Sequence, residues 1–180
     1  MALFGSDPTD RRCPFTGQPE AALTDADDAI RNAREMGQAA TLMYALDHAA
    51  VPYTLCGNHA AVAAQAQEVV ALAEEKSSPF WKAFGLMNQG SALALAGKAS
   101  DAIEMLTSGI TAFRATGGTN FVPLFLPHLA RAHAELGQFE EAWRCIGEAM
   151  TERETTKQTW CEAELPNRRR NRTDVACAGR

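Results

Sequence analysis

Residues 97–113, GKASDAIEMLTSGITAF, decide the fold. A turn glycine opens the stretch. Ala99, Ala102, Ile103, Leu106, Ile110 and Phe113 follow at helical spacing, so one face of the helix is apolar. Forty residues later the pattern returns as Gly137, Phe139, Ala142, Trp143, Ile146 and Met150. Forty residues earlier it stands as Gly57, Val62, Ala63, Ala66 and Val70, and one step further back as Gly17, Ala22, Leu23, Ala26 and Ile30. A fixed period of this size marks a repeat array, in which each unit buries its apolar stripe only against its neighbours.

Working outward, the turn glycines and the periodicity predict helices at 19–36, 38–55, 59–76, 79–96, 99–115, 121–136 and 139–155. Pro52 is expected to kink the second helix or end it early. Ser78-Pro79 reads as an N-cap followed by proline in the first turn, and residues 117–120 as a loop with a built-in N-cap. The helices alternate between a first type, A, and a second type, B. Leu46, Leu86 and Leu126 form one column on the A helices, and Ala50, Gly90 and Ala130 form another. The second column is small in every copy, so Gly90 is expected to mark the tightest A–B crossing together with Ala102. The fold class expected is an all-α, right-handed solenoid of antiparallel helix hairpins over 17–165. Residues 1–16, with Pro8 and Pro14, read as a loose lead-in. A further helix begins near Trp160 and fails at Pro166. The Arg-rich 166–180 then reads as a disordered or divergent end, which leaves the face of 139–155 partly uncovered and open to self-association.

Composition agrees with an all-helical chain. Alanine, the best helix former, occurs 34 times in 180 residues. The net charge is −5, but 166–180 hold five Arg against one Asp, so the remainder carries −9. An acidic body lacks the basic face that nucleic-acid binding requires. The five cysteines stand at no zinc spacing and no leader pattern opens the chain, so free thiols in a reducing cytosol are expected.

A small residue at the helix crossing (Gly90, Ala130), a turn glycine seven residues on (Gly97, Gly137), an alanine five later (Ala102, Ala142) and an apolar residue four after that (Leu106, Ile146) resemble the tetratricopeptide repeat. The period there is about 34 residues, so each helix here would be about one turn longer. The wording of 55–117 and 129–150 further resembles the C-terminal repeat region of bacterial adenylate cyclase and signalling ATPase proteins. The resemblance implies a cytoplasmic interaction module that regulates catalytic domains. Neither the cyclase nor the ATPase is in this chain, so no catalytic residue carries over. A cyclase-type enzyme subunit and a nucleic-acid adaptor using the Arg-rich stretch are the competing readings.

No site for chemistry stands out. AGKAS at 96–100 lacks the glycine and the hydroxyl residue of a phosphate loop, and a helix turn explains it. His128 and His133 sit about 140° apart around one helix and do not converge. Cys145 reads as a packed thiol on the same buried stripe as Trp143, and Trp81 as a packing residue at the start of an A helix. No cofactor or metal is implied. The expected binding surface is the concave face formed by the A helices, where spacing turns Tyr44, Asp47, His48, Phe84, Met87, Asn88, His128 and Arg131 outward. His48, Asn88 and His128 are equivalent in three repeats, a polar ladder suited to gripping an extended peptide. Arg131 is the only basic residue among them, which argues against the subclass that clamps a terminal carboxylate.

Overall fold

The computed structural model describes residues 19–156. Over these it is all-helical: α1 (Pro19–Met36), α2 (Ala39–Leu55), α3 (His59–Glu75), α4 (Pro79–Leu95), α5 (Ala99–Ala115), α6 (Val122–Glu135) and α7 (Phe139–Thr156). No strand occurs among the described residues. The lead-in 1–16, the helix start near Trp160 and the Arg-rich 166–180 lie outside them. Among the described residues no helix is long and apolar enough to cross a membrane.

The spacing is finer than the forty-residue period read from the glycines. Helices begin at residues 19, 39, 59, 79, 99 and 139, so the local unit is one helix and its turn, every twenty residues. A residue with positive φ follows the helices at the same step: Gly37, Gly57, Ser77, Gly97, Gly117 and Gly137. The turns after α3 and α4 share one hydrogen-bond pattern. Ser77 N–H donates to Glu74 O at 3.1 Å and Ser78 N–H to Ala73 O at 2.8 Å; Gly97 and Lys98 repeat this on Ala94 and Leu93 at 3.3 and 2.9 Å. Gly57-Asn58 and Gly137-Gln138 make the same pair of bonds. This is the Schellman closure, which spends two otherwise unpaired carbonyls and requires a left-handed residue. Among the described residues Ser77, at φ 51°, is the one non-glycine residue that fills the role.

Three local details differ from the sequence reading. Pro52 neither ends nor shortens α2, which continues to Leu55, because proline in the last turn leaves only one carbonyl unserved. Ser78 holds the N-cap position of α4 without a side-chain cap bond, whereas Asn58 does cap α3, its Oδ1 accepting from Ala61 N–H at 3.2 Å. The α5–α6 connection is longer than the others, and Phe121 rather than Thr119 or Asn120 stands at the N-cap.

Each helix packs on the next in sequence, and alternate helices also touch, α2 on α4 and α4 on α6. Close approaches fix the direction of the α4–α5 pair. A Cβ on Gly90 would stand 2.6 Å from Leu106 Cγ and 2.9 Å from Leu106 N, and one on Gly109 would stand 2.9 Å from Met87 N. Residue numbers rise along α4 as they fall along α5, so the two are antiparallel. Gly90 therefore marks a tight crossing, but its partner is Leu106. Ala102 instead lies with Ala94, Ala99 and Ala132 in a small alanine cluster where α4, α5 and α6 meet.

Two larger clusters form the rest of the core. One joins α1 to α3 around Ile30, Leu46, Tyr53 and Val69; the other joins α4 to α7 around Phe84, Leu106, Phe113 and Leu126. The half-buried Trp81 packs against both. Ion pairs tie successive B helices, α1 to α3 and α5 to α7: Arg34 to Glu68 at 2.7 Å, and Arg114 to Glu148 and Glu152 at 2.6 and 2.5 Å.

The expected apolar stripe of α7 is buried only in part. Cys145 is fully buried, and burial pushes its thiol pKa up. Phe139 and Trp143, in contrast, are 62% and 63% exposed. Their equivalents on α5, Ala99 and Ile103, are covered by the α6 side of the alanine cluster. Among the described residues α7 has no helix in that place.

Candidate functional site

Helical spacing on α2 puts Tyr44, Asp47 and His48 on one side, at i, i+3 and i+4. The neighbouring α4 supplies Asn88 and Trp81. These five residues come together in the structure. The Asn88 Nδ2 amide donates to Asp47 Oδ1 at 2.6 Å, across a sequence separation of 41. Asp47 Oδ2 lies 3.7 Å from His48 Nδ1. That nitrogen is also 3.0 Å from Tyr44 O, and since a carbonyl only accepts, Nδ1 carries the proton. The imidazole stacks on the Tyr44 ring, centroids 3.8 Å apart and planes 23° apart. Trp81 meets the same tyrosine edge-on, at 6.3 Å and 86°.

Electrostatics single out Asp47. Its side chain is 10% exposed. Burial raises its pKa to about 7, against the opposing pull of the Asn88 hydrogen bond. Tyr44 and His48, in contrast, are exposed. The result is a recessed carboxyl group beside an exposed tyrosine–histidine stack.

The other expected site residues go elsewhere. Phe84 and Met87 are 4% and 0% exposed and belong to the core, so they form no part of an open surface. The reason is the position of α4, which packs on α2, α3, α5 and α6 together. A helix with four neighbours buries most of its apolar face, and of the three α4 residues expected on the surface only Asn88 lies between α2 and α4, where Trp81 joins it.

His128 and Arg131 stand on α6 as a separate group. His128 is half-buried; burial, then the Arg131 charge and His59, push its imidazole down to about 4. Arg131 is exposed and pairs with Glu135 at 3.0 Å. His59 of α3 is also lowered, by burial and by Arg131, and its Nδ1 is buried without a protein hydrogen-bond partner. The three equivalent positions His48, Asn88 and His128 thus differ in exposure and partners, and the ladder is polar mainly at its α2 end.

Trp81, whose place at the start of an A helix reads as packing with surface recognition as the alternative, packs on the core and also meets Tyr44 at the α2–α4 cluster. His59 is one of the four histidines that are candidates for a metal or a base, and what the sequence does not report is its coupling to Arg131 on α6. Among the described residues no group of three His, Cys, Asp or Glu side chains is placed to share a metal ion. A shallow, open depression of about 650 Å³ lies on α5, lined by Ile103, Thr107, Ser108 and Thr111 among others, without a charged group beyond Glu104.

No protein-family model, curated protein or solved structure matches this chain.

Proposed function

We propose that this chain is a non-catalytic, cytoplasmic protein-interaction module with a tetratricopeptide-like, right-handed solenoid arrangement, a part of a bacterial signalling ATPase or cyclase-type regulator. The arrangement is supported by the twenty-residue step of helix and turn, by the antiparallel α4–α5 pair and by the contacts among α2, α4 and α6. In such an array the alternate helices line one continuous surface, and a peptide lies along it. One observation carries the functional reading: the Asp47–Asn88 pair, flanked by exposed Tyr44 and His48, joins two alternate helices on that surface. Buried polar pairs are costly to hold in a fold that needs only apolar columns, which favours a role in recognition.

The test is site-specific photocrosslinking of the full chain with a random library of extended peptides. A crosslinker at position 44 is expected to capture a sequence-restricted set of peptides, whereas one at Thr107 on α5 captures none. Equal capture at the two positions, or none at 44, overturns the reading.

A further inference from the structure

The α2–α4 cluster has a chemistry that points to one kind of ligand. Asp47 is a recessed carboxyl group with one oxygen bonded to a neutral amide and the other 3.7 Å from His48 Nδ1. Among the described residues no Lys or Arg forms an ion pair with it. The basic groups on the helices packed against α2 are engaged elsewhere: Arg31 of α1 with Asp28, Arg34 of α1 with Glu68 of α3, and Lys82 of α4 with Glu74; Asp27 of α1 bonds the Tyr53 hydroxyl. His59 of α3 answers to Arg131, not to Asp47. One helical turn before Asp47, Tyr44 meets Trp81 at nearly a right angle, and His48 stacks on one face of the tyrosine ring. An exposed tyrosine ring one helical turn from a recessed carboxyl group, with a second ring edge-on to it, favours a cation, because the rings present negative π density and the carboxylate supplies charge. A guanidinium suits the site best, since its plane can lie on a ring while its edge donates to Oδ2.

We propose that Asp47, Tyr44 and Trp81 form a receptor for an arginine side chain of the bound peptide. The proposal rests on the interaction reading above and names the chemistry of its partner. Asp47 must be ionised to act, and at its pKa of about 7 a proton competes with the ligand. Arginine binding therefore expels a proton and weakens about tenfold per pH unit on the acid side of that value. The acidic body of the chain draws a basic peptide in the same direction.

The experiment titrates the ¹⁵N-labelled full chain with N-acetyl-arginine amide and with its neutral isostere, N-acetyl-citrulline amide. The arginine compound is expected to move the Trp81 indole and Asn88 side-chain signals saturably, and the citrulline compound to leave them in place. Asp47→Asn is expected to abolish the arginine response at an unchanged helical signal. Tyr44→Leu, at an exposed position that does not build the core, is expected to weaken it several-fold. Equal responses to the two compounds, a response that survives Asp47→Asn, or affinity that ignores pH would each overturn the proposal. If arginine fails while position 44 still captures peptides, the receptor is wrong and the interaction module stands. If arginine binds and no peptide is captured, the converse holds.

Discussion

Ser77 is the residue at which the turn pattern is least comfortable. Its left-handed backbone, φ 51°, occupies the place that glycine fills in the other turns. For an L-residue this conformation costs about 1–2 kcal/mol, which glycine avoids while giving back about 0.5–1 kcal/mol in chain entropy. Ser77→Gly is therefore expected to stabilise the chain by about 0.5–1 kcal/mol, read as a higher midpoint in urea. An unchanged or lower midpoint would show that the Ser77 hydroxyl has a compensating role. The same residue marks a limit of legibility. Glycine announces a left-handed turn because it has no Cβ to clash, and serine announces nothing. The turn after α3 is therefore legible only through Ser78-Pro79.

At the scale of elements, helices separate into those with a free side and those without. Periodicity reports which residues share a face, but not how many neighbours a helix has. This is why the helix limits are legible to within a few residues, while Phe84 and Met87, expected to face outward, fall on the sides of α4 that its neighbours cover. On α7, Trp143 has the spacing of a core residue and lies on the face expected to be left partly uncovered; among the described residues nothing covers it. The A–B crossings themselves were visible as small residues. Gly90 was found that way; Gly85 and Gly109, which approach Val70 and Met87 as closely, were not, since they fall outside the repeated columns. Gly90→Leu should force Leu106 and its backbone aside and cost ~1–3 kcal/mol. Gln138→Leu, on an exposed turn, should cost under about 0.5 kcal/mol. Equal shifts in melting temperature for the two would contradict the crossing.

For the whole molecule, the two strongly shifted groups act against each other. Asp47 has a raised pKa, so its contribution to stability is complete below the ordinary carboxyl value of 3.8 and is lost as pH rises through about 7. His128 has a lowered pKa, so its contribution is complete above 6.5 and is lost as pH falls through about 4. Over the shared window the slopes, each at most about 1.4 kcal/mol per pH unit, have opposite sign. The intact chain is expected to show a flat profile there. Asp47→Asn should unmask a loss of stability toward acid, to which His59 adds in the same direction. His128→Gln should unmask a loss toward neutrality. Urea midpoints across the window check both; His59 offsets part of the effect in His128→Gln, so a flat profile in Asp47→Asn is the result that would refute the balance. None of this was legible in the sequence, because burial, which sets both shifts, depends on the neighbours of α2 and α6.

The repeated Schellman closure also carries an evolutionary consequence. Each such turn is made by backbone groups and one left-handed residue, so it is indifferent to the helices it joins. Excising 58–97 would splice Gly57 directly to Lys98 and reproduce the junction that already precedes α5. It would also keep an A helix followed by a B helix. Excising only 58–77 would splice Gly57 to Ser78 just as cleanly, yet it would run α2 into α4, two helices whose buried sides are built to lie next to one another in the same direction. The turns tolerate recombination in steps of one helix, but the packing accepts it only in steps of two. A gene built this way lengthens or shortens by whole hairpins, and the twenty-residue rhythm of its backbone is inherited as a forty-residue rhythm of its side chains.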